Sequence, residues 1–166
     1  MNRISKENYY LNIAQTVLER ATCLRRVYGA IIVKNDEIIS TGYNGAPRGR
    51  ANCVDMGYCS REAMNVPRGE RYELCRSVHA EANAVLNYRG SLKDLEGSTV
   101  YVTLFPCHDC AKILAQVGVG EVVYLDNKYA DTDDGRISRR ILDSCGISYR
   151  QVIVDVQIGT GGQARQ

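Results

Sequence analysis

Residues 79–110 read HAEANAVLNYRGSLKDLEGSTVYVTLFPCHDC, and this stretch decides how the rest of the chain can fold. Apolar residues at helical spacing follow Glu81, a β-branched run covers 98–103, and a second helical pattern begins at Cys107. Pro106 marks the change from strand to helix. The stretch therefore predicts helix, strand and helix in succession, with chemically reactive side chains where each helix starts.

The sequence on either side extends this pattern. Upstream, Ser5 is the predicted cap of a first helix, and strands over 29–33 and 38–43 form a hairpin through Asn35 and Asp36. Downstream, the patterns predict a strand, a helix and a final strand, over 121–125, 137–145 and 148–156. Helices that alternate with strands cover both faces of a sheet. We therefore expect an α/β fold with three layers, α-β-α, and a central mixed sheet of about five strands.

The length of 166 residues favours a single domain, which we place at 1–156. Residues 44–76 lack periodicity and carry three cysteines and many arginines. A loop of this length, inserted before the helix predicted after Glu81, is either functional or tied down by other groups. The glycine-rich stretch 157–166 predicts a flexible C-terminal tail. Cys145 falls on an apolar helix face and is expected in the core.

Charge and hydropathy exclude several classes of function. The net charge is only +2, so we expect no broad basic face and no nucleic-acid partner. No run of about 18 apolar residues is present, so no membrane span is expected. Residues 1–7 lack the apolar core of a secretory signal. We expect a cytoplasmic protein, of a bacterium or of the host cell if the source is viral, in which seven cysteines favour metal binding over disulfides.

A zinc centre is predicted from His79, Cys107 and Cys110. The two cysteines are spaced i, i+3 on one face of a first helical turn, and a helix N-terminus favours the thiolate form. Three protein ligands and a water form the open arrangement of a catalytic zinc site. Glu81 is better placed to move protons between that water and a leaving amine than to bind metal. His108 faces away from this side of the turn, so we predict that it is not a ligand.

Each half of this motif is common alone, but the combination is more specific. The pattern H-x-E…P-C-x-x-C is the signature of zinc deaminases, whose activated water attacks C4 of cytosine or C6 of adenine. A non-catalytic alternative stays open, in which the metal sites are purely structural and the chain is a zinc-stapled interaction module.

The chain resembles the deoxycytidylate (dCMP) deaminases, the group that includes late-competence-operon and phage enzymes, over about 4–154. The resemblance is carried by TCLRR at 22–26, GYNGAPRG at 42–49, CRSVHAE at 75–81 and YVTLFPC at 101–107. It implies the cytidine-deaminase-like α/β fold, a catalytic zinc on His79, Cys107 and Cys110, and Glu81 as the proton shuttle. It also implies a homohexamer, activated by dCTP and inhibited by dTTP, each bound with Mg²⁺.

Substrate recognition is expected around the exit of the hairpin. Arg25, Arg26, Arg48 and Arg50 flank this region, and arginine is the preferred bidentate partner of phosphate. A solvated surface position is the alternative for each of them. Asn44 follows a strand end, and the family resemblance favours it as the group that binds the sugar or base edge. We select Asn44, Arg48 and Arg26 as substrate-binding residues.

A second, structural zinc is predicted on Cys23, Cys53, Cys59 and Cys75. Metal binding would order the long loop, because it supplies folding free energy. The resemblance supports Cys23 and Cys53, which match positions that hold a structural zinc in some dCMP deaminases. Buried free thiols that act as small hydrophobic groups are the alternative.

The function predicted from these features is zinc-dependent hydrolytic deamination of dCMP to dUMP and ammonia, which supplies dUMP for thymidylate synthesis. The alternative among enzymes is a zinc deaminase that acts on another cytosine or adenine nucleotide, or on nucleic acid. The near-neutral charge argues against nucleic acid as the substrate.

Overall fold

The computed structural model describes residues 3–154, which form a mixed sheet between two helical layers. The strands are β1 (Gly29–Lys34), β2 (Glu37–Tyr43), β3 (Thr99–Leu104), β4 (Glu121–Asp126) and β5 (Ser148–Gln151). The helices are α1 (Lys6–Leu18), α2 (Cys53–Met56), α3 (Ser60–Ala63), α4 (Ala80–Asn87), α5 (His108–Gln116) and α6 (Asp133–Ser144). Short 3₁₀ helices lie at Tyr72–Leu74 and Leu92–Leu95.

The sheet has the strand order β2-β1-β3-β4-β5. β1 pairs antiparallel with both β2 and β3, whereas β3, β4 and β5 run parallel to one another. Asn35 and Asp36 both adopt positive φ, as a two-residue hairpin turn of type I′ requires. The predicted mixed sheet of five strands is therefore confirmed.

Each face of the sheet carries its own helical layer. α1 covers one face, where Tyr10, Leu11 and Ala14 pack with strand residues that include Ile31 and Val123. α4, α5 and α6 cover the other face and share a larger core with β1, β3 and β4. Each fully buried Leu or Ile contributes about 1.5–3 kcal/mol to folding, so the two cores fix both layers firmly. The predicted α-β-α layering is confirmed.

α4 packs very close to β2 because of Gly42. A Cβ at Gly42 would lie 2.2 Å from the Ala84 nitrogen and 2.3 Å from the Ala80 carbonyl oxygen. Both atoms belong to the backbone of α4, so no side chain can rotate away to make room. Gly42 therefore sets the depth at which α4 packs, and α4 is the helix that begins after His79.

Residues 44–76 are more ordered than their sequence predicts, since they contain α2, α3 and a 3₁₀ turn. Asn52 and Asp55 form a capping box at the start of α2. The buried Arg61 donates to the Pro67 carbonyl oxygen at 3.3 Å. Helices of one turn are too short to produce a detectable period, which is why the sequence pattern does not reveal them.

α6 starts earlier than its apolar pattern predicts. It begins at Asp133, and the N-cap Thr132 accepts a hydrogen bond from the Gly135 nitrogen at 3.2 Å. The first turn is polar, so helical periodicity becomes visible only from Ile137 onward. A threonine followed by two aspartates is the capping signal that could have located this start.

The C-terminal part differs from two further expectations. Cys145 is exposed at the C-cap of α6, so its predicted place in the core is wrong. β5 ends at Gln151, inside the predicted strand 148–156. The predicted tail 157–166 lies outside the described residues, and the domain limits 1–156 stay a prediction. Of the helices in the described part, none has the length and apolar character that a membrane crossing needs.

Candidate metal centre and active site

Two helix starts meet at the carboxyl end of the parallel strands, the usual place for a ligand site in α/β sheets. β3 ends at Leu104, and Cys107 is the N-cap of α5. His79 is the N-cap of α4, which packs against α5. A bridge between Val78 and Gly45 holds the segment before His79 against the exit of β2. The sheet and its helices thus bring two distant parts of the chain to one point.

The side chains of His79, Cys107 and Cys110 converge there. His79 Nδ1 lies 3.3 Å from Cys107 Sγ and 3.5 Å from Cys110 Sγ. Tetrahedral zinc, with its usual bond lengths to sulfur and nitrogen, places these two atom types about 3.5 Å apart. The three side chains therefore have the separations of a zinc ligand set. Among residues 3–154, this is the one group of three or more such side chains whose ligand atoms lie within 4.8 Å of one another.

Hydrogen bonding makes the two cysteines differ in pKa. A bond from Cys110, with a further contribution from His79, lowers the pKa of the Cys107 thiol to about 4. The same bond, together with burial, raises the pKa of Cys110 well above its usual value. The bond to Cys107 raises the pKa of His79 to about 9. This group of thiol, thiolate and imidazolium holds protons that a divalent cation would displace on binding.

Glu81 lies beside this group in the first turn of α4 and is buried, with 7% of its surface exposed. Burial raises the pKa of Glu81 to about 7, and the nearby Cys107 thiolate adds to the rise. A carboxyl group with a pKa near neutrality can both take and return a proton at pH 7. Because His79 is exposed and Cys107 half-buried, solvent reaches the group from one side. The arrangement suits hydrolytic chemistry.

His108 points away from the three candidate ligands. Its ring Nδ1 contacts a carboxylate oxygen of Asp134 on α6, and its Nε2 lies 3.2 Å from Asp109. The bond to Asp134 raises the pKa of His108. Both ring nitrogens thus face carboxylates, as expected for a histidine that is not a metal ligand. Sequence spacing does not reveal Asp134, although the cap at Thr132 is the signal that could have placed it.

The predicted substrate-binding residues lie at the exit of β2 and beside it. Asn44 is buried, its Oδ1 accepts from the Tyr28 nitrogen at 2.7 Å, and its Nδ2 donates to the Arg26 carbonyl oxygen at 2.8 Å. These two bonds use half of the hydrogen-bonding capacity of the amide. Arg26 and Arg48 are both exposed. The backbone around β1 therefore holds Asn44 in place, and substrate binding by the three residues stays a prediction.

The four cysteines of the predicted second site lie around Cys53. Cys53 and Cys59 are buried, and Cys23 and Cys75 are half-buried. Burial raises the pKa of Cys53, and the other three thiols add to the rise, so they are near enough to interact with it. All four lie in the described part of the chain, and no three of their sulfur atoms lie within 4.8 Å of one another. The four thiols are therefore near one another, but no three of them have the separations of a zinc ligand set.

Sequence comparisons with known proteins agree with the site. Residues 4–126 match the profile of the cytidine and deoxycytidylate deaminase zinc-binding region. A deoxycytidylate deaminase of Mycobacterium phage D29 is 40% identical over 129 residues, which cover 75% of this chain and 97% of that protein. A probable deoxycytidylate deaminase of Drosophila melanogaster is 39% identical over 133 residues, or 77% of this chain, and the match spans only 62% of that protein.

A solved structure has a similar fold. The crystal structure of dCMP deaminase from the cyanophage S-TIM5, in complex with dCMP and dUMP, matches with a TM-score of 0.68 and 29% sequence identity. The match covers 90% of this chain and 100% of that chain. Together with the matched profile, which includes both helix starts of the metal centre, these findings show that the chain belongs to the cytidine and deoxycytidylate deaminase family.

Proposed function

We propose that this protein is a zinc-dependent enzyme that hydrolyses dCMP to dUMP and ammonia. The observation that carries the proposal is the convergence of His79, Cys107 and Cys110 beside the buried Glu81. Relatives named deoxycytidylate deaminase support this choice of substrate, as does the related structure in complex with dCMP and dUMP.

The proposed mechanism assigns metal binding to His79, Cys107 and Cys110, and proton transfer to Glu81. His79, Cys107 and Cys110 would hold the zinc, which would supply activation of a water near neutral pH for attack at C4 of the cytosine ring. Glu81 takes a proton from the attacking water and delivers it to N3. It then carries the remaining hydroxyl proton to the amino group, which leaves as ammonia. Burial suits Glu81 to both steps, because a pKa of about 7 allows transfer in either direction.

We assign substrate recognition to Asn44, Arg26 and Arg48. The amide of Asn44 is already oriented by its bonds to backbone, so its second N–H and second lone pair have fixed directions. Such a group suits a sugar hydroxyl or a base edge. The guanidinium groups of Arg26 and Arg48 match phosphate oxygens in bidentate pairs, and both side chains are open to solvent.

We also propose a structural zinc on Cys23, Cys53, Cys59 and Cys75. Support comes from the effect of the other three thiols on the pKa of Cys53, and from the 3.3 Å hydrogen bond in which Cys23 Sγ accepts from the Arg25 backbone nitrogen. Elemental analysis of metal-replete protein should then give two zinc ions per chain. A single zinc per chain would contradict the second site and leave the catalytic one intact.

In the cell, the proposed reaction supplies dUMP for thymidylate synthesis in the cytoplasm, where the seven free cysteines of the chain are stable. From the family resemblance we propose a homohexamer, activated by dCTP and inhibited by dTTP, each with Mg²⁺. Such control needs a second site and two states that differ in affinity. A sigmoidal rate curve with dCMP that becomes hyperbolic with dCTP would support it. Hyperbolic kinetics unchanged by either nucleotide would contradict it.

A substrate panel tests the proposed function. Loss of cytosine absorbance is followed with dCMP, dCTP, deoxycytidine, CMP and a single-stranded oligonucleotide, and we expect dCMP to give the highest kcat/KM. Preference for another compound would indicate a zinc deaminase of different specificity. No ammonia from any cytosine compound would indicate a non-catalytic zinc-stapled module.

A further inference from the structure

Two chain segments meet in a short antiparallel bridge next to the metal centre, at a place that we call the crossing. Val78 donates its N–H to the Gly45 carbonyl oxygen at 2.7 Å, and Gly45 donates to the Val78 carbonyl oxygen at 3.2 Å. Asn44 directly precedes Gly45, and His79 directly follows Val78. The two-bond bridge therefore joins the segment of the proposed substrate amide to the segment of a proposed zinc ligand.

Asn83, on α4, adds a side-chain clamp to this crossing. Its Nδ2 donates to the Tyr43 carbonyl oxygen at 2.7 Å and lies 3.4 Å from the Val78 carbonyl oxygen. Its backbone N–H donates to the His79 carbonyl oxygen at 2.9 Å. One residue thus contacts the last residue of β2, the residue before the zinc ligand, and the zinc ligand itself.

Helix propensity gives no reason for an asparagine at this position. Asparagine is a weaker helix former than alanine, because its amide competes for backbone hydrogen bonds. Asn83 nevertheless lies in the middle of α4, a helix of eight residues that is otherwise rich in alanine. The amide serves the contact with β2 and Val78, which is tertiary.

Asn87 makes a comparable bond one turn further along the same helix. Its Nδ2 donates to the Thr41 carbonyl oxygen at 2.9 Å. Both asparagines therefore anchor α4 to β2, but the bond of Asn87 lies two residues before Tyr43 and away from the crossing. A comparison of Asn83 with Asn87 therefore distinguishes a general anchoring of α4 to β2 from a specific effect on the crossing.

We propose that Asn83 is a positioning residue, which holds Asn44 and the turn His79–Glu81 at a fixed spacing. This inference rests on the proposed function, since it assumes that both segments serve one substrate. Asn83 acts through the backbone at Tyr43 and Val78 and does not touch the reacting atoms. Its effect on rate is expected because displacements of about 1 Å between a bound substrate and its catalytic groups are costly.

Asn83→Ala and Asn87→Ala form a matched pair of variants, since each removes an amide bond between α4 and β2. For Asn83→Ala we expect kcat with dCMP to fall ~10- to 100-fold, with zinc content unchanged and KM changed by at most about threefold. For Asn87→Ala we expect kcat within about twofold of wild type. Equal losses of kcat in the two variants, or wild-type kcat in Asn83→Ala, would overturn the proposal.

Hydrogen exchange at the Gly45 and Val78 amides gives a readout that needs no turnover. We expect faster exchange at both in Asn83→Ala and unchanged exchange in Asn87→Ala; the wild-type rate in Asn83→Ala would overturn the clamp. If Asn83→Ala does not fold, Asn83→Leu carries the same comparison, because leucine keeps the branched shape and favours helix. If the wild-type protein turns over no dCMP, the proposed function is refuted. The hydrogen-exchange rates would still show whether Asn83 holds the two segments together.

Discussion

The two sets of candidate metal ligands in this molecule are supported in different ways. His79 and Cys107 are N-caps of α4 and α5, which pack on the central sheet, and Cys110 lies one turn inside α5. Cys53 and Cys59 instead lie at the starts of α2 and α3, each of only four residues. The two helices that pack on the sheet bring the first set to coordination separations, whereas the one-turn helices bring the second set only near one another.

Local contacts, rather than the sheet, organise the segment that carries the second set. The Arg61 guanidinium stacks over the Tyr72 ring at 4.3 Å and donates to the Pro67 carbonyl oxygen. Arg25 forms an ion pair of 3.3 Å with Glu62 across to α3. A partly exposed pair of this kind contributes only about 0–1 kcal/mol, so it cannot replace a core. The first set therefore depends on the fold, whereas under the proposed second site the fold of this segment would depend on the second set.

Cys110→Ala should cause the largest loss at the catalytic centre. Removing this buried thiol leaves two of the three proposed ligands, so we expect no measurable dCMP turnover and the loss of one zinc per chain. The sheet should stay folded, since the core around α5 is otherwise unchanged. Zinc analysis, turnover and thermal melting check this, with Cys145→Ala as the control because that thiol is exposed. Full turnover in Cys110→Ala would show that the proposed ligand set is wrong.

Glu81→Gln should separate proton transfer from metal binding. The amide has nearly the same shape but cannot carry a proton, so we expect kcat to fall by about 10²- to 10⁴-fold. Zinc content should equal that of wild type, because the three ligands are untouched. A variant that loses zinc together with activity would instead make Glu81 part of the metal site.

Features whose residues lie close together along the chain are the ones that the sequence predicts. The three-layer fold and all five strands follow from hydrophobic period and turn residues, because the core of a sheet repeats along the chain. The metal centre follows from the spacing of His79, Glu81, Cys107 and Cys110, since each helix start lies next to its ligand. The spacing of residues along the chain is therefore sufficient to predict a metal centre whose candidate ligands lie at the starts of helices.

Other features depend on packing between distant segments, which a local pattern does not contain. The carboxylate of Asp134 reaches His108 only after α6 packs on α5. The amide of Asn44 is oriented by carbonyl and N–H groups of the segment before β1, 16 to 18 residues away. Cys145 belongs to an apolar helical pattern, yet it caps the end of α6 and is exposed, because the helix ends there.

Cys53→Ala should test whether the second set has a structural role. If Cys53 helps to bind a zinc, its loss should lower the free energy of unfolding by about 3 kcal/mol, or roughly 6–12 °C in melting temperature. A buried free thiol that acts only as a small hydrophobic group would cost about 1 kcal/mol. Thermal melting and zinc analysis together distinguish the two. A loss near the smaller value with unchanged zinc would remove the second site from the proposal.

Gly42→Ala and Gly69→Ala extend the comparison to the backbone of the two regions. At Gly42 a Cβ would meet backbone atoms of α4 at 2.2 and 2.3 Å, so we expect a loss of about 1–3 kcal/mol as the helix moves outward. At Gly69 nothing lies within 4 Å and only the positive φ of 85° is unfavourable, which costs about 1 kcal/mol. Denaturant unfolding measures both losses.

The two glycine variants should differ more in turnover than in stability. Displacement of α4 moves His79 and Glu81 relative to Cys107, so Gly42→Ala should lower kcat by about tenfold at temperatures where it is fully folded. Gly69→Ala changes a turn of the cysteine-bearing segment and should keep kcat within about twofold of wild type. Equal kcat in both variants would mean that the depth of α4 against β2 does not set the geometry of the metal centre. Gly42 contacts α4 at Ala80, next to His79, so substitution of Gly42 perturbs the metal centre directly. Substitution of Gly69 can affect the metal centre only through the loop that carries Gly69.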